Sequence, residues 1–316
     1  MSLIENLAYW YLGMFPGTRD DSFGLIDKLN LKSDLAKGDW NTIESKLSKL
    51  SDDDFSRVIT EFCNGEQFNK EIEQFIRTPE TEFQNVIAGC YYISVGYLKR
   101  SGAWASELSE DQINGMYEYL DKADDCLRAE FDNKRYDVEA SARLIAVLLN
   151  TGSKEEAAYY FEKCKSLNPK SFMAHVRYFR VLVPRWGGSN EAMLAYLESI
   201  EDKPLKDMIR VMVLNELFND LYNEDETTAL QKFKNQSGSL IQEALKNTTI
   251  PNDDSIVTIH TKNYLAMLYN ILEMRKERDE LLSTMSNRIT RYPWAYYGMH
   301  NEKDITTFNR LGLLSL

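Results

Sequence analysis

Three histidines and a run of three aspartates are the residues whose chemistry would first suggest a metal site or an acid–base catalyst. The histidines are His175, His260 and His300, and none has a second His or Cys at ligand spacing. Zinc catalysis needs such clustered ligands, so it is not expected. Residues 52–54 are aspartates that follow Ser51, and adjacent side chains on a helix point in different directions. We therefore interpret the acidic run as the start of a helix rather than a calcium site.

Motifs that hold a nucleophile or a phosphate are also missing from the sequence. There is no G-x-S-x-G, and Gly187-Gly188 follows a predicted helix without the Lys-Ser/Thr of a phosphate loop. With 49 Asp and Glu residues, any chosen carboxylate pair says little about acid–base catalysis. His175 falls inside a predicted helix beside Val176 and Tyr178, which favours a packed histidine. We expect neither an enzyme nor a metal or cofactor.

The four cysteines are widely spaced, and no two form a C-x-x-C pair. They are Cys63, Cys90, Cys126 and Cys164. Each falls in a segment that is predicted to be helical, where cysteine acts as a small buried apolar residue. Reduced structural thiols are therefore predicted, rather than disulfides or metal ligands.

Composition and charge favour a folded protein with a protein partner. The net charge is −12 and no run of basic residues occurs, which disfavours nucleic acid and anionic membranes as partners. The negative charge favours a basic polypeptide as the binding partner. The segment 3–15 is apolar and aromatic, but Glu5 lies within it and it is too short to span a bilayer. We expect a first helix that packs on the rest of the chain, and a cytoplasmic location.

Two segments of the chain repeat one pattern 35 residues apart. Ala157, Phe161, Cys164 and Pro169 recur as Ala192, Tyr196, Ser199 and Pro204. A small residue, an aromatic residue four positions later and another small residue three positions after that share one face of a helix, which the proline then ends. A period near ~34 residues is typical of stacked helix–turn–helix units.

Helical periodicity extends over almost the whole chain and divides it into three predicted regions. An N-terminal helical segment (1–80) packs on an array (81–292), which a C-terminal tail (293–316) caps. Gly38 is predicted to end one helix and Asp39 to start the next. Thr78-Pro79-Glu80 has the form of a helix start, with an N-cap threonine and proline at the first helical position. We predict that the array begins there.

The repeated helices resemble tetratricopeptide repeats. Ala88-Gly89 and Tyr92 take the place of the Leu-Gly and Tyr of that family, and Ala123 and Leu127 lie 34 residues before Ala157 and Phe161. The last helix pair carries a similar Leu265-Ala266 and Tyr269. The resemblance implies an all-α fold, an α-solenoid of tetratricopeptide-like helix–turn–helix repeats that winds into a right-handed superhelix. The family's helix-A tryptophan is missing, and loop lengths vary.

The most specific motif is Pro184-Arg185-Trp186-Gly187-Gly188-Ser189. Together with the Leu-x-x-Gly-Asp-Trp segment near residue 38, it resembles an uncharacterised bacterial tetratricopeptide-like family with a Pro-[Lys/Arg]-Trp-Gly-Gly-Ser signature, which is labelled a domain of unknown function. The resemblance implies a bacterial source and supplies no ligand. In a structural interpretation Pro184 ends a helix, both glycines turn the chain with positive φ, and Ser189 caps the next helix. The alternative makes Arg185 and Trp186 a surface anchor for a partner.

Repeat architecture, negative charge and the missing catalytic groups together predict a non-enzymatic scaffold or adaptor that grips a polypeptide on the inner face of the solenoid. An immunity- or antitoxin-type protein that neutralises a basic toxin and an assembly scaffold both match this description. The predicted partner-binding residues are Phe83, Glu139, Met173, Arg180, Arg185, Trp186, His260, Asn263 and Met267. The alternatives are a self-associating structural protein, suggested by aromatic residues near both ends, and an enzyme with an unfamiliar site.

Overall fold

The computed structural model describes residues 20–64, 68–101, 107–286, 288–299 and 303–306. These residues contain α-helices and short 3-10 turns, and they form no β-strand. The predicted all-α class is therefore confirmed for the described residues. The predicted helix within 3–15 lies outside them, as do the last ten residues of the predicted tail. No described helix combines the length and apolar character that crossing a bilayer requires.

The described residues separate into two compact units. The first spans residues 21–182, and the second contains Asp20 and the residues described from Val183 onward. The boundary falls within the predicted array (81–292), directly before the Pro184–Ser189 motif. We refer to these as the N-terminal and C-terminal units.

The N-terminal unit contains ten helices in its described residues. They are α1 (Leu25–Lys28), α2 (Leu31–Lys37), α3 (Trp40–Leu47), α4 (Asp52–Asn64), α5 (Asn69–Phe75), α6 (Glu82–Arg100), α7 (Glu110–Leu127), α8 (Lys134–Thr151), α9 (Lys154–Leu167) and α10 (Phe172–Val181). Neighbours in the chain pack as pairs, α6 on α7 and α8 on α9, while α10 packs on both α8 and α9. Helix α4 packs on α6 and α8, which places it against the first helix of each pair.

Described helices of the C-terminal unit also pair along the chain. They are α11 (Asn190–Ser199), α12 (Lys203–Glu224), α13 (Glu226–Asn247), α14 (Ile256–Ile271) and α15 (Arg275–Ser283). Helix α12 packs on α13 and on α14, and α14 packs on α15. A 3-10 turn over Trp294–Tyr297 follows. Trp294 is fully buried, and its indole Nε1 donates to the side-chain oxygen of Asn263 on α14 at 2.7 Å.

Helix boundaries follow the capping chemistry of the sequence, with one correction. Gly38 ends α2 with φ +65°, and the Asp39 carboxylate accepts from the Thr42 amide at the start of α3, as predicted. The predicted start at Thr78 is wrong. Helix α6 begins at Glu82, because Thr81 and Gln84 form a capping box that satisfies the first amides of the helix.

The Pro184–Ser189 motif forms a turn much as its residues predict. Pro184–Trp186 is a 3-10 turn, Gly187 has φ +82°, and the Ser189 hydroxyl accepts from the Ala192 amide at the start of α11. Gly188 departs from the prediction, because it is not among the residues with positive φ. One residue in the left-handed region is sufficient to reverse the chain here.

Candidate functional site

Arg185 of the motif binds two side chains of its own unit. Its guanidinium forms a two-point ion pair with Glu216 on α12, in which Nη2 donates to Oε1 at 2.9 Å. It also lies over the Tyr296 ring, with 4.9 Å between the guanidinium carbon and the ring centroid. Burial acts to lower the pKa of Arg185, but the Glu216 carboxylate raises it above its ordinary value. This geometry supports the structural interpretation of Arg185.

The structure divides the other predicted partner-binding residues between core and surface. Phe83, Glu139, Asn263 and Met267 are buried, while Met173, Arg180, Trp186 and His260 are half-buried. A buried side chain offers no surface to a partner, so the four buried positions do not belong to a binding surface in this structure. The structure therefore does not bring the nine predicted residues together as one exposed face.

Glu139 is buried because it belongs to an ion-pair network inside the N-terminal unit. Arg143 Nε donates to Glu139 Oε1 at 2.6 Å, one helical turn along α8. From α4, the Ser56 hydroxyl donates to the same oxygen at 3.0 Å, and Thr60 Oγ1 accepts from Arg143 Nη2 at 2.7 Å. Such an arrangement satisfies a buried charge pair, which would otherwise be costly. The network joins α4 to α8.

Asp53 is a second carboxylate whose environment departs from that of a surface residue. It is half-buried on α4, and its Oδ1 accepts from the Phe172 amide at 3.1 Å. Burial raises the pKa of Asp53 to about 7, although the hydrogen bond from Phe172 acts to lower it. The contact joins α4 to the first turn of α10. Neither a histidine nor a serine is hydrogen-bonded to this carboxylate in the described residues, so the contact does not resemble a catalytic pair.

Histidine and cysteine positions agree with the structural interpretation. His175 is buried with its ring edge-on to Phe161, and its Nε2 lies 3.0 Å from the Pro169 carbonyl oxygen. All four cysteines are free; Cys126 is half-buried and the other three are buried. The described residues contain no group of three or more His, Cys, Asp or Glu side chains that could hold a metal ion.

An exposed surface on α7 is the strongest candidate for binding. Helix α7 carries six carboxylates against one lysine, and its buried residues lie on the opposite side of the helix. Positions 110, 114, 117, 121 and 125 follow at intervals of three or four, so they share one face. Tyr117 lies in the middle of this face with 39% of its surface exposed. Within the described part of the chain, no ion pair is formed by Glu110, Asp121 and Asp125 of this face or by Asp111 beside it.

Hydrogen bonds hold the tyrosine of this face in place. The Tyr117 hydroxyl donates to the Asn150 carbonyl oxygen at the end of α8, at 3.3 Å. The Asn150 amide in turn donates to the hydroxyl of Tyr97 on α6 at 2.8 Å, and Tyr97 is 38% exposed. We call Tyr97, Tyr117, Glu110, Asp111, Asp121 and Asp125 the tyrosine–acid surface. This surface was not predicted from the sequence, because the predicted binding residues lie mainly on the first helix of each pair. The spacing of the acidic residues along α7 nevertheless indicates an exposed face.

The C-terminal unit contains a small cavity between its helix turns. It measures about 250 Å³ and is lined by Phe218, Tyr222, Glu226, Thr227, Leu230, Asn270, Ile271, Glu273, Arg275 and Arg278. Arg278 is buried, and its Nη1 donates to the Asn270 side-chain oxygen at 2.6 Å. Two guanidinium groups face two carboxylates in this lining, so the cavity has no net charge that would select an ionic ligand.

Comparison with known proteins yields one match. The model of a family described as a domain of unknown function (DUF4034) matches residues 139–214, which include the Pro184–Ser189 motif and less than half of the chain. No curated protein and no solved structure matches the chain. Between residues 139 and 214 the chain is therefore similar to an uncharacterised protein family.

Proposed function

We propose that the chain is a tetratricopeptide-like repeat protein that binds a basic polypeptide segment on the tyrosine–acid surface. Pairing of α6 with α7 and of α8 with α9 supports the repeat interpretation, as does the glycine at the close approach of α6 and α7. An immunity- or antitoxin-type protein that holds a basic toxin in the cytoplasm would be one instance of this function. An assembly scaffold would be another.

The observation that carries the proposal is a fixed, exposed tyrosine among unpaired carboxylates. Tyr117 and Tyr97 are held through Asn150, so little side-chain entropy remains to be lost when a partner covers them. Tyrosine supplies a large apolar face with a polar tip, a combination that is enriched in interface hot spots. Carboxylates around it attract lysine and arginine side chains over a distance of about 8 Å at physiological ionic strength.

The experiment is a selection of peptides from a random-sequence display library on the immobilised full chain. Selected peptides are then labelled with fluorescein, and their affinities are measured by fluorescence anisotropy. We expect the selected peptides to be rich in Lys and Arg. Tyr117→Ala should weaken their binding about tenfold or more, as expected when a hot-spot side chain is removed. Asp121→Lys should weaken binding and reduce its dependence on salt.

Two matched variants serve as controls. Tyr159 on α9 is 63% exposed, so Tyr159→Ala removes an exposed tyrosine elsewhere. Glu201 is exposed between α11 and α12, so Glu201→Lys makes the same change of charge outside the surface. Neither should change the affinity. Selected peptides without excess positive charge, or equal losses in all four variants, would refute the proposed surface. If light scattering instead shows concentration-dependent dimers that Tyr117→Ala abolishes, the self-associating function replaces it.

A further inference from the structure

Two cysteines meet where α4 packs against α6. Cys63 Sγ lies 3.8 Å from the carbonyl oxygen of Ile87, and Cys90 Sγ lies 3.8 Å from that of Ile59. Ile87 precedes Cys90 by three residues, and Ile59 precedes Cys63 by four, so each sulfur lies against the helical turn that carries the other cysteine. The two thiol groups therefore face each other across the contact between α4 and α6.

The positive and negative charges of the side chains around this thiol pair do not cancel. The guanidinium groups of Arg143 and Arg177 and the carboxylate of Glu139 all act on Cys90, and all three residues are buried. Two positive charges thus face one negative charge. Nη1 of Arg177 is buried and has no hydrogen-bond partner in the described structure. Because an uncompensated charge in the interior is costly, a negative charge at one of the two sulfurs would be stabilised here.

The pKa values of the two thiols separate accordingly. Burial raises the pKa of Cys63 well above its usual value, and the contact with Cys90 raises it further. The pKa of Cys90 is lowered although burial acts to raise it, because the neighbouring Cys63 thiol and the positive charge of Arg143 both favour the ionised form of Cys90. By contrast, burial raises the pKa of Cys126 and brings that of Cys164 to about 12. Cys90 is thus the one thiol of the four whose pKa lies below its ordinary value.

We propose that Cys63 and Cys90 are a redox-active pair, which a peroxide converts to an intramolecular disulfide joining α4 to α6. In the first step the Cys90 thiolate attacks one peroxide oxygen, the O–O bond breaks, and Cys90 becomes a sulfenic acid while hydroxide leaves. In the second step the Cys63 sulfur attacks the Cys90 sulfur, the S–O bond breaks, and water leaves with the Cys63 proton. One peroxide is reduced and two thiols are oxidised.

Access to the pair requires a local opening, since each cysteine is only 2% exposed. The experiment therefore identifies the oxidation product and does not compare the reaction rate of Cys63 and Cys90 with that of the half-buried Cys126. Reduced full-length protein is treated with hydrogen peroxide, and its thiols are counted after unfolding. We expect two of the four thiols to disappear with a mass loss of two hydrogen atoms. Peptide mapping without reductant should recover one cross-linked product that contains Cys63 and Cys90.

Variants separate the roles of the two sulfurs. In Cys63→Ser the reaction should stop at a Cys90 sulfenic acid, which dimedone traps, whereas Cys90→Ser should leave Cys63 unmodified. Cys126→Ser and Cys164→Ser should still form the disulfide. Arg177→Met should slow the reaction and move the midpoint of its pH–rate profile upward, because it removes a positive charge that lowers the pKa of Cys90.

Three results would overturn the proposal. One is persistence of all four thiols under peroxide, and another is a cross-link that contains Cys126 or Cys164. The third is an unchanged pH–rate profile in Arg177→Met, because the buried charges around Cys90 would then not favour its reaction with peroxide. Circular dichroism checks that each variant is folded. Because the peptide map is made on the parent protein, a variant that does not fold leaves the main result decisive.

Discussion

Gly89 of α6 lies so close to Leu127 of α7 that a side chain at position 89 has no room. A Cβ atom on Gly89 would lie 2.4 Å from Cγ of Leu127 and 2.5 Å from its Cδ2. Both distances are far below van der Waals contact, and Leu127 is itself buried. The separation of α6 and α7 therefore depends on the absence of a side chain at Gly89.

Gly89→Ala should destabilise the protein by ~1–3 kcal/mol, because the new methyl group overpacks the contact between α6 and α7. Gly238→Ala is the matched control. Gly238 lies within α13, and a Cβ there would meet nothing within 4 Å. That substitution should stabilise the helix by roughly 0.5–1 kcal/mol. Urea denaturation measures the change in the free energy of unfolding for both substitutions. Equal effects of the two substitutions would contradict the close approach.

Phe161 supplies a second test of packing in the N-terminal unit. Its ring stacks on Tyr178 with 4.2 Å between centroids, and 3% of the residue is exposed. Phe161→Ala should remove a buried ring and cost ~3–5 kcal/mol of the free energy of unfolding. Ala157→Leu, at a neighbouring position with no exposed surface, should cost ~1–3 kcal/mol through overpacking. Melting curves unchanged by both substitutions would show that the repeat alignment places these residues wrongly.

The sequence was most informative where structure is local. Capping at Asp39 and the end of α2 at Gly38 depend on neighbours within one helical turn, and both were predictable. The start of α6 was not, since Thr78-Pro79 and Thr81 both have the form of a helix start. The capping box with Gln84 decides between them. Helix type followed from periodicity, because amphipathic spacing is a property of each segment alone.

Side-chain exposure was less predictable, because it depends on what packs against every face of a helix. Helix α14 contacts both α12 and α15, and this leaves Asn263 and Met267 buried. The Glu139–Arg143 pair can be recognised in the sequence from its spacing of four residues. Ser56, which donates a hydrogen bond to Glu139, lies 83 residues earlier in the chain. A contact over this separation cannot be predicted from a local sequence pattern. A single sequence shows which faces of a helix are apolar better than it shows which helices pack against those faces.

Asp53 makes the stability of the protein depend on pH. Its raised pKa, about 7, means that the folded chain keeps a proton which the unfolded chain releases near pH 4. The resulting stabilisation is fully present below the unfolded pKa and is lost as the pH rises through 7. Between pH 5 and pH 8 the contribution of this carboxyl group should fall by roughly 2–3 kcal/mol.

Asp53→Asn isolates this contribution, because the amide keeps an oxygen that can accept from the Phe172 amide. Free energies of unfolding are measured for parent and variant at pH 5 and pH 8. The parent should lose more stability over this interval than the variant, and the difference is assigned to Asp53. Parallel pH profiles for the two proteins would mean that the carboxyl group of Asp53 is ionised in the fold at both pH values.

The ion pair between Arg185 and Glu216 gives a test that bears on function as well as on stability. Glu216 is 3% exposed, and its Oε1 also accepts a hydrogen bond from the Tyr296 hydroxyl at 3.0 Å. Arg185→Met should therefore leave the buried Glu216 carboxylate without its ion-pair partner and lower the free energy of unfolding by ~3–5 kcal/mol. Replacing both residues, as in Arg185→Met with Glu216→Leu, should recover most of this loss, since no charge then remains buried.

Lys122 and Glu118 on α7 form an exposed pair for comparison, with side chains 45% and 63% exposed. Lys122→Met should change the free energy of unfolding by no more than ~1 kcal/mol, because water screens such pairs. If Arg185→Met costs as little as Lys122→Met, then Arg185 does not stabilise the fold and the interpretation of Arg185 as a surface anchor for a partner regains support. A large loss that the double substitution reverses assigns Arg185 to the architecture of the C-terminal unit, because a residue that serves only a partner would not affect folding of the isolated chain.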